Sequence, residues 1–274
     1  KSRRQKALLV LLAIVIVLYP HRRWSAFRRS KLWDAWLRYL HVKVVSEVPL
    51  ERGGGAGSPG KVYALAPHGI FPFTIAVPLM GAVESLIFKG AVPVCASIVL
   101  RIPVLRQVVL WLGAVEATPA PMAAALDAGD SLAVCPGGIA EMFKEPRDGR
   151  ETILLRNRKG FVRVAIQAGA ELVPVFTFGA SRLLRKLPLP AALEGLSRRL
   201  QMSLILFFGR FGLPVPFQRQ LLFALGRPIK TAPNPSPSQA EVDAVHAEVM
   251  AAMERLFETY KHEYGWGDRK LEIV

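Results

Sequence analysis

Cysteine is nearly absent from this chain. There are two in 274 residues, Cys95 and Cys135, far apart and outside any CxxC spacing. That excludes a disulfide framework and a cysteine-ligated zinc site, and it suits a reducing compartment. Histidine is also scarce, and the five (positions 21, 41, 68, 246 and 262) show neither HxxxH nor HExxH spacing, so no metal site is expected. No GxSxG elbow is present, which removes a lipase-type serine nucleophile. A glycine fingerprint for dinucleotides, a kinase motif set and internal repeats are all missing, and no resident cofactor is expected. The string GAGSPGK does match a phosphate loop by letter count. However, Val62 stands where Ser or Thr is needed, and the stretch precedes a strand pattern instead of following one.

Acidic residues are few: 21 against 36 Lys and Arg, for a net charge of +15 and a pI near 10.3. Such an excess suits nucleic acid or an anionic membrane. Zinc-finger spacing, RNP motifs and basic-aromatic strand patterns are absent, so nucleic acid is the weaker reading. The position of the charge favours the membrane. Residues 1–43 hold eleven Lys and Arg against Asp34 alone, wrapped around the most apolar segment of a chain that is 51% hydrophobic.

That apolar run, Ala7–Tyr19, has thirteen residues. As a helix it covers roughly 20 Å, short of the ~30 Å hydrocarbon core. No small-residue cleavage site follows it. The chain opens on Lys1, and the run is expected to be one arm of a membrane-embedded element whose other arm lies upstream. Next, Trp24, Phe27, Trp33, Trp36, Leu37 and Leu40 recur at near-helical spacing among Arg22, Arg23, Arg28, Arg29 and Arg38. This reads as an amphipathic helix in the headgroup layer; the alternative is a helix packing its tryptophans on the globular part. Residues 51–60, ERGGGAGSPG, read as a flexible linker. The expected organisation is therefore a membrane anchor with interfacial helix over 1–50, the linker over 51–60, and a catalytic domain over 61–274.

Beyond the linker, apolar runs alternate with helical patterns. Strands are predicted at 61–66, 92–97, 113–116, 131–135, 172–178 and 221–225, and helices at 103–112, 121–128, 159–168, 191–207 and 238–264. Ser238 and Glu241 are predicted to form a capping box. The alternation predicts an α/β sheet covered by helices. Three polar islands interrupt it at strand–helix junctions, where such sheets hold their sites: APHG (66–69), CPGGIAEMF (135–143) and LRNRKGFV (155–162).

His68 directly follows a strand, and a neutral imidazole there suits a general base; a histidine satisfying turn carbonyls is the alternative. Gly69 permits close backbone approach. Gly137 and Gly138 can turn N–H groups toward an oxyanion, with Glu141 a carboxylate on the same face. Arg156, Asn157, Arg158 and Lys159 stand at a predicted helix start, where the dipole disfavours cations unless an anion binds there. A tight turn with a solvated glutamate, and a solvated basic face, are the respective alternatives.

APHG, CPGGIAEMF, LLRNRKGFVRVAIQAGAELVPVFTFG, FFGRFGLPVPF and GRPI together resemble the type-2 diacylglycerol acyltransferases, members of the wider glycerolipid acyltransferase group. The PHG and PGG forms and the tail YGWGDRKLEIV are closer to plant and algal members. The resemblance implies a glycerolipid-acyltransferase-like fold, acyl-CoA as co-substrate, diacylglycerol as acceptor, and a seat in membrane lipid. The place it implies is the cytosolic face of the endoplasmic reticulum, with the lipid droplet and plastid membranes as alternatives. Monoacylglycerol, a long-chain alcohol or a lysophospholipid are alternative acceptors, and a lipid-binding protein without turnover is the alternative of another class. His68 is implied as the base, and Arg156, Arg158 and Lys159 as holders of the CoA phosphates. The wider group has an aspartate five residues after the histidine; here that place is Phe73, which leaves Glu141 to orient His68.

Overall fold

The computed structural model describes residues 23–49, 60–81, 88, 90–144, 149–187 and 207–274, with positions 5, 10, 11 and 14 ahead of them. A seven-stranded sheet organises the chain. Its strands are β1 Lys43–Ser46, β2 Lys61–Ala66, β3 Ala91–Cys95, β4 Val115–Glu116, β5 Ser131–Val134, β7 Glu171–Phe178 and β10 Leu222–Leu225, in the order β1-β10-β7-β2-β5-β3-β4. All neighbours are parallel except β10 and β7. A separate parallel pair joins β6 Arg150–Ile153 to β11 Lys270–Ile273, and β8 Arg185–Lys186 pairs with β9 Phe207–Phe208.

β2 and β7 read as unbroken apolar runs because both of their faces are covered. Successive side chains point to opposite sides, so each strand feeds two cores. Val62, Ala64 and Ala66 of β2 enter one core, together with α4 (Gly160–Ala168) and α5 (Gln239–Tyr260), and Tyr63 and Leu65 enter the other. That second core also takes Leu40, Ile75 and Leu79, with Trp36 and Leu37 packed against it from α1 (Lys31–Tyr39). The remaining longer helices are α2 (Pro103–Trp111) and α3 (Pro119–Asp127). Along α5, Val242, His246, Val249, Met253 and Leu256 are buried at the three- and four-residue spacing of a helix face. Ser238 caps α5 by accepting the Glu241 N–H at 3.1 Å, but the Glu241 carboxylate turns to Asn234, so only half of the capping box forms.

The amino-terminal region differs from its sequence reading in three ways. Residues 43–46, allotted to the anchor, form an edge strand of the main sheet. Trp36 and Leu37 of α1 pack on the globular core, which is the alternative reading of that helix. Arg28, grouped with headgroup-facing arginines, is buried, donating from Nε to the Leu79 carbonyl at 3.2 Å and from Nη2 to the Ala91 carbonyl at 3.1 Å. Arg23 pairs with Asp130 at 2.9 Å. A guanidinium's fixed fork suits two carbonyls on different segments better than a mobile ammonium would.

Of the apolar run 7–19, Val10, Leu11 and Ile14 are described, helical and exposed; the rest lies outside the described residues, as do 51–59 of the linker. No helix among the described residues is long and apolar enough to cross a membrane. The helix expected over 191–207 also lies outside them, except Phe207, which opens β9.

Candidate active site

β2, β3 and β5 are adjacent and parallel, so their carboxyl ends share one edge of the sheet. APHG continues from β2 and CPGG from β5, which brings two of the three polar islands together. The third, LRNRKG, runs from the end of β6 into α4. All three border a single cavity of about 790 Å³. Its lining is mainly apolar: Trp33, Trp36 and Leu37 of α1, residues of the segment Ile70–Met80, Val108 of α2 and Met122 of α3. His68, Asn157, Arg158 and Lys159 supply polar groups to the same wall. Arg156 is not part of it.

His68 is 8% exposed. Its Nδ1 lies 2.8 Å from the carbonyl oxygen of Gly69. A carbonyl only accepts, so Nδ1 carries the proton and Nε2 keeps its lone pair. Burial pushes the imidazole below its ordinary pKa, partly opposed by the Gly69 hydrogen bond. Gly69 has φ +68°, and a Cβ there would stand 2.8 Å from the Ala180 carbonyl oxygen. Glycine is what lets this turn close against its neighbour.

Glu141 is buried and close by, but its expected contact with the imidazole is replaced by one with the backbone. Oε2 accepts the His68 N–H at 2.5 Å, and Oε1 accepts the Leu154 N–H at 2.7 Å. Burial raises the carboxyl to about 7, and the two N–H groups pull the other way. Gly137 is required here, because a Cβ on it would overlap the Glu141 carboxylate. The Gly138 N–H, expected to face an oxyanion, donates instead to the Cys135 carbonyl at 3.1 Å within the turn.

The basic island divides. Arg156 donates from Nη2 to the Ile273 carbonyl at 3.1 Å, and its backbone N–H and that of Leu155 both reach the Val274 carbonyl. It fastens the loop to the carboxyl-terminal strand. Lys159 stands just before α4, where its side chain makes no capping bond and instead pairs with Asp243 at 2.8 Å, while Arg158 is exposed at the cavity wall.

Two groups near the site carry no sequence signal. His246, buried on α5, sets its Nε2 3.0 Å from the Leu155 carbonyl and so props the basic loop from below. Glu151 is 3% exposed, with its carboxyl raised by burial and lowered in part by Ser181, Arg182 and Arg269. Both lie on elements whose partners are distant in sequence. Among the described residues no group of three or more metal-ligating side chains occurs.

The comparisons with known proteins agree with this architecture. A family model described as diacylglycerol acyltransferase matches residues 7–274. Diacylglycerol O-acyltransferase 2-like protein 6 of Bos taurus is 28% identical over 280 residues, covering 92% of this chain and 80% of that protein. 2-Acylglycerol O-acyltransferase 1 of Homo sapiens is 27% identical, covering 89% and 76%. Acyl-CoA wax alcohol acyltransferase 2 of Homo sapiens is also 27% identical, covering 92% and 80%. Among solved structures, the 1-acyl-sn-glycerophosphate acyltransferase of Thermotoga maritima superposes with a TM-score of 0.51 at 13% identity, covering 94% of this chain and 83% of that one; this shows the α/β fold. With nearly its whole length matched, the chain belongs to the diacylglycerol acyltransferase family.

Proposed function

We infer that this acyltransferase moves the acyl group of acyl-CoA onto the free hydroxyl of diacylglycerol, with His68 as general base. The observation that carries the reading is the neutral Nε2 of a buried histidine on the wall of a large apolar cavity that Asn157, Arg158 and Lys159 also border. A base has to be unprotonated at working pH, and burial keeps His68 so.

In the reaction, the acceptor hydroxyl oxygen attacks the thioester carbonyl carbon as His68 Nε2 takes its proton. The tetrahedral intermediate collapses with loss of the CoA thiolate, which recovers that proton as the thiol. The thioester is already activated, so no covalent enzyme intermediate is required, and holding both reactants in line supplies much of the rate. The oxyanion role is assigned to the Gly69 and Gly137 backbones and not to Gly138, whose N–H is taken by the Cys135 carbonyl. Arg158, with Asn157 and Lys159, holds the CoA phosphates, while the apolar wall around Ile70–Met80 takes the lipid chains. Glu141 acts through the backbone as a positioning residue. The enzyme works on membrane lipid, at the cytosolic face of the endoplasmic reticulum.

A second reading of the acceptor is favoured by relatives whose names specify 2-acylglycerol and wax alcohol. The deciding experiment supplies purified protein with labelled acyl-CoA and a panel of diacylglycerol, monoacylglycerol, long-chain alcohol and lysophospholipid, and separates the products by lipid chromatography. Triacylglycerol as the main product supports the assignment. A different main ester moves it to that acceptor, and no ester from any of them leaves a lipid-binding protein without turnover.

A further inference from the structure

The segment running from the end of β3 through α2 has two faces in different surroundings. Inward, Val99, Leu105, Val108 and Leu112 line the large cavity. Outward, Ile98, Ile102 and Val104 are 42%, 46% and 52% exposed, with Arg101 and Pro103 also exposed among them. A single exposed isoleucine needs no explanation, but three large apolar side chains within seven residues form a patch. Ile98 and Ile102 flank a 3-10 turn over Val99–Arg101, and Val104 lies in the first turn of α2, whose first residue is Pro103.

Charge says what covers this patch. From residue 90 to Val115 the chain holds no Asp or Glu, while Arg101 and Arg106 lie within it. Exposed apolar side chains flanking the exposed Arg101, on a segment that carries no acidic residue of its own, fit an anionic lipid surface. We propose that the outer face of Ile98–Val104 docks on an anionic bilayer, a contact separate from the basic amino-terminal segment. The inference rests on the reading that the cavity takes a lipid acceptor. The wall facing the bilayer is then a wall of the cavity, so an acyl chain passes from bilayer to cavity without a long path through water.

The test places an environment-sensitive fluorophore on Ile102→Cys in the full chain. Cys95, pushed up to about 11 by burial and by Glu116, and Cys135, raised further by burial, label slowly near neutral pH. A Glu254→Cys probe, exposed on α5, is the control. On phosphatidylcholine vesicles containing phosphatidylserine, emission at position 102 is expected to shift to the blue and that at 254 to stay. The double variant Ile102→Glu/Val104→Glu should bind these vesicles about tenfold less. It should lose transfer to vesicle-borne diacylglycerol in proportion, yet keep transfer to a short-chain diacylglycerol in detergent. A probe at 102 that stays in water while the protein is vesicle-bound overturns the docking and leaves the proposed reaction standing. A shift driven by protein concentration without lipid overturns it in favour of self-association. A blue shift on vesicles with no transfer to any acceptor retains the docking and sinks the reaction.

Discussion

Glu141 holds His68 by its backbone, 73 residues away in sequence. One carboxylate oxygen takes the His68 N–H and the other takes the Leu154 N–H, so a single buried group fastens the loop bearing the base to the strand end that leads into the basic island. A carboxylate on the imidazole would tune the basicity of the ring; one on the backbone sets where the ring stands.

His68→Ala should lower kcat by about 10²–10⁴-fold, the usual worth of a general base, with little change in KM for acyl-CoA. Glu141→Gln replaces one of two acceptors with a donor that faces an N–H, and should lower kcat by about 10–100-fold. Steady-state rates of the double variant should match His68→Ala alone, because a displaced base and a missing one are lost together. Multiplicative losses would mean that the two act independently.

Activity and stability should respond to pH in opposite directions around Glu141. Ionised, it accepts both N–H groups; protonated, it brings a hydroxyl that has to donate where only donors face it. With its carboxyl raised to about 7, kcat/KM should rise with a midpoint near pH 7, above the depressed pKa of His68. In Glu141→Gln the midpoint should fall below 6.5, and an unchanged midpoint would assign the limb to another group. The unfolded carboxyl titrates at its ordinary 4.5, so its contribution to stability is fullest below about 4.5 and is lost as pH rises through 7. Denaturant unfolding of wild type and Glu141→Gln across that window reads the difference.

Gly137→Ala should act like a lesion at Glu141. Its added methyl occupies the place of the carboxylate, which then has to leave the His68 and Leu154 N–H groups. A fall in kcat comparable to that of Glu141→Gln, with a similarly shifted pH midpoint, is expected; normal kinetics would show that the carboxylate can be spared.

Arg158→Ala should raise KM for acyl-CoA, with a smaller salt dependence than wild type, because a screened phosphate contact has gone. Arg156→Ala should leave that salt dependence intact and instead free the carboxyl-terminal strand, seen as faster amide exchange at Ile273 and Val274. If both variants behave alike in KM, the division of the island is wrong.

Arg28→Ala should destabilise the fold by about 3 kcal/mol, since it leaves the Leu79 and Ala91 carbonyls buried without their donor. Thermal or urea unfolding measures it. A change below about 0.5 kcal/mol, the scale of an ordinary surface substitution, would return Arg28 to the surface role first read for it.

The central strands were legible because burial on both faces leaves an unbroken apolar run, and Lys61–Ala66 is placed to the residue. So were the junction loops, since a polar island between apolar runs has to lie at a sheet edge. β1, β6 and β11 were not. RETI and KLEI are short and half charged, and each becomes a strand only through the other, with Arg150 set against Lys270. KVVS is hidden inside the basic amino-terminal segment until β10 pairs with it. Trp33, Trp36 and Leu37 show helical spacing in the chain, but only packing turns that face toward the cavity.

Periodicity, turn residues and loop chemistry are properties of neighbouring residues, and from these alone the α/β class, the family resemblance and the identities of His68, Glu141 and the basic island could be written down. What each polar side chain touches is a property of segments brought together from far apart. Glu141 grips a backbone instead of a ring, Arg156 turns to Ile273 while Arg158 stays at the cavity, and Arg28 is drawn inside. A carboxylate or guanidinium bonds whichever donor or acceptor packing leaves beside it, and a buried partner left unsatisfied is costly. The tertiary arrangement therefore decided these roles.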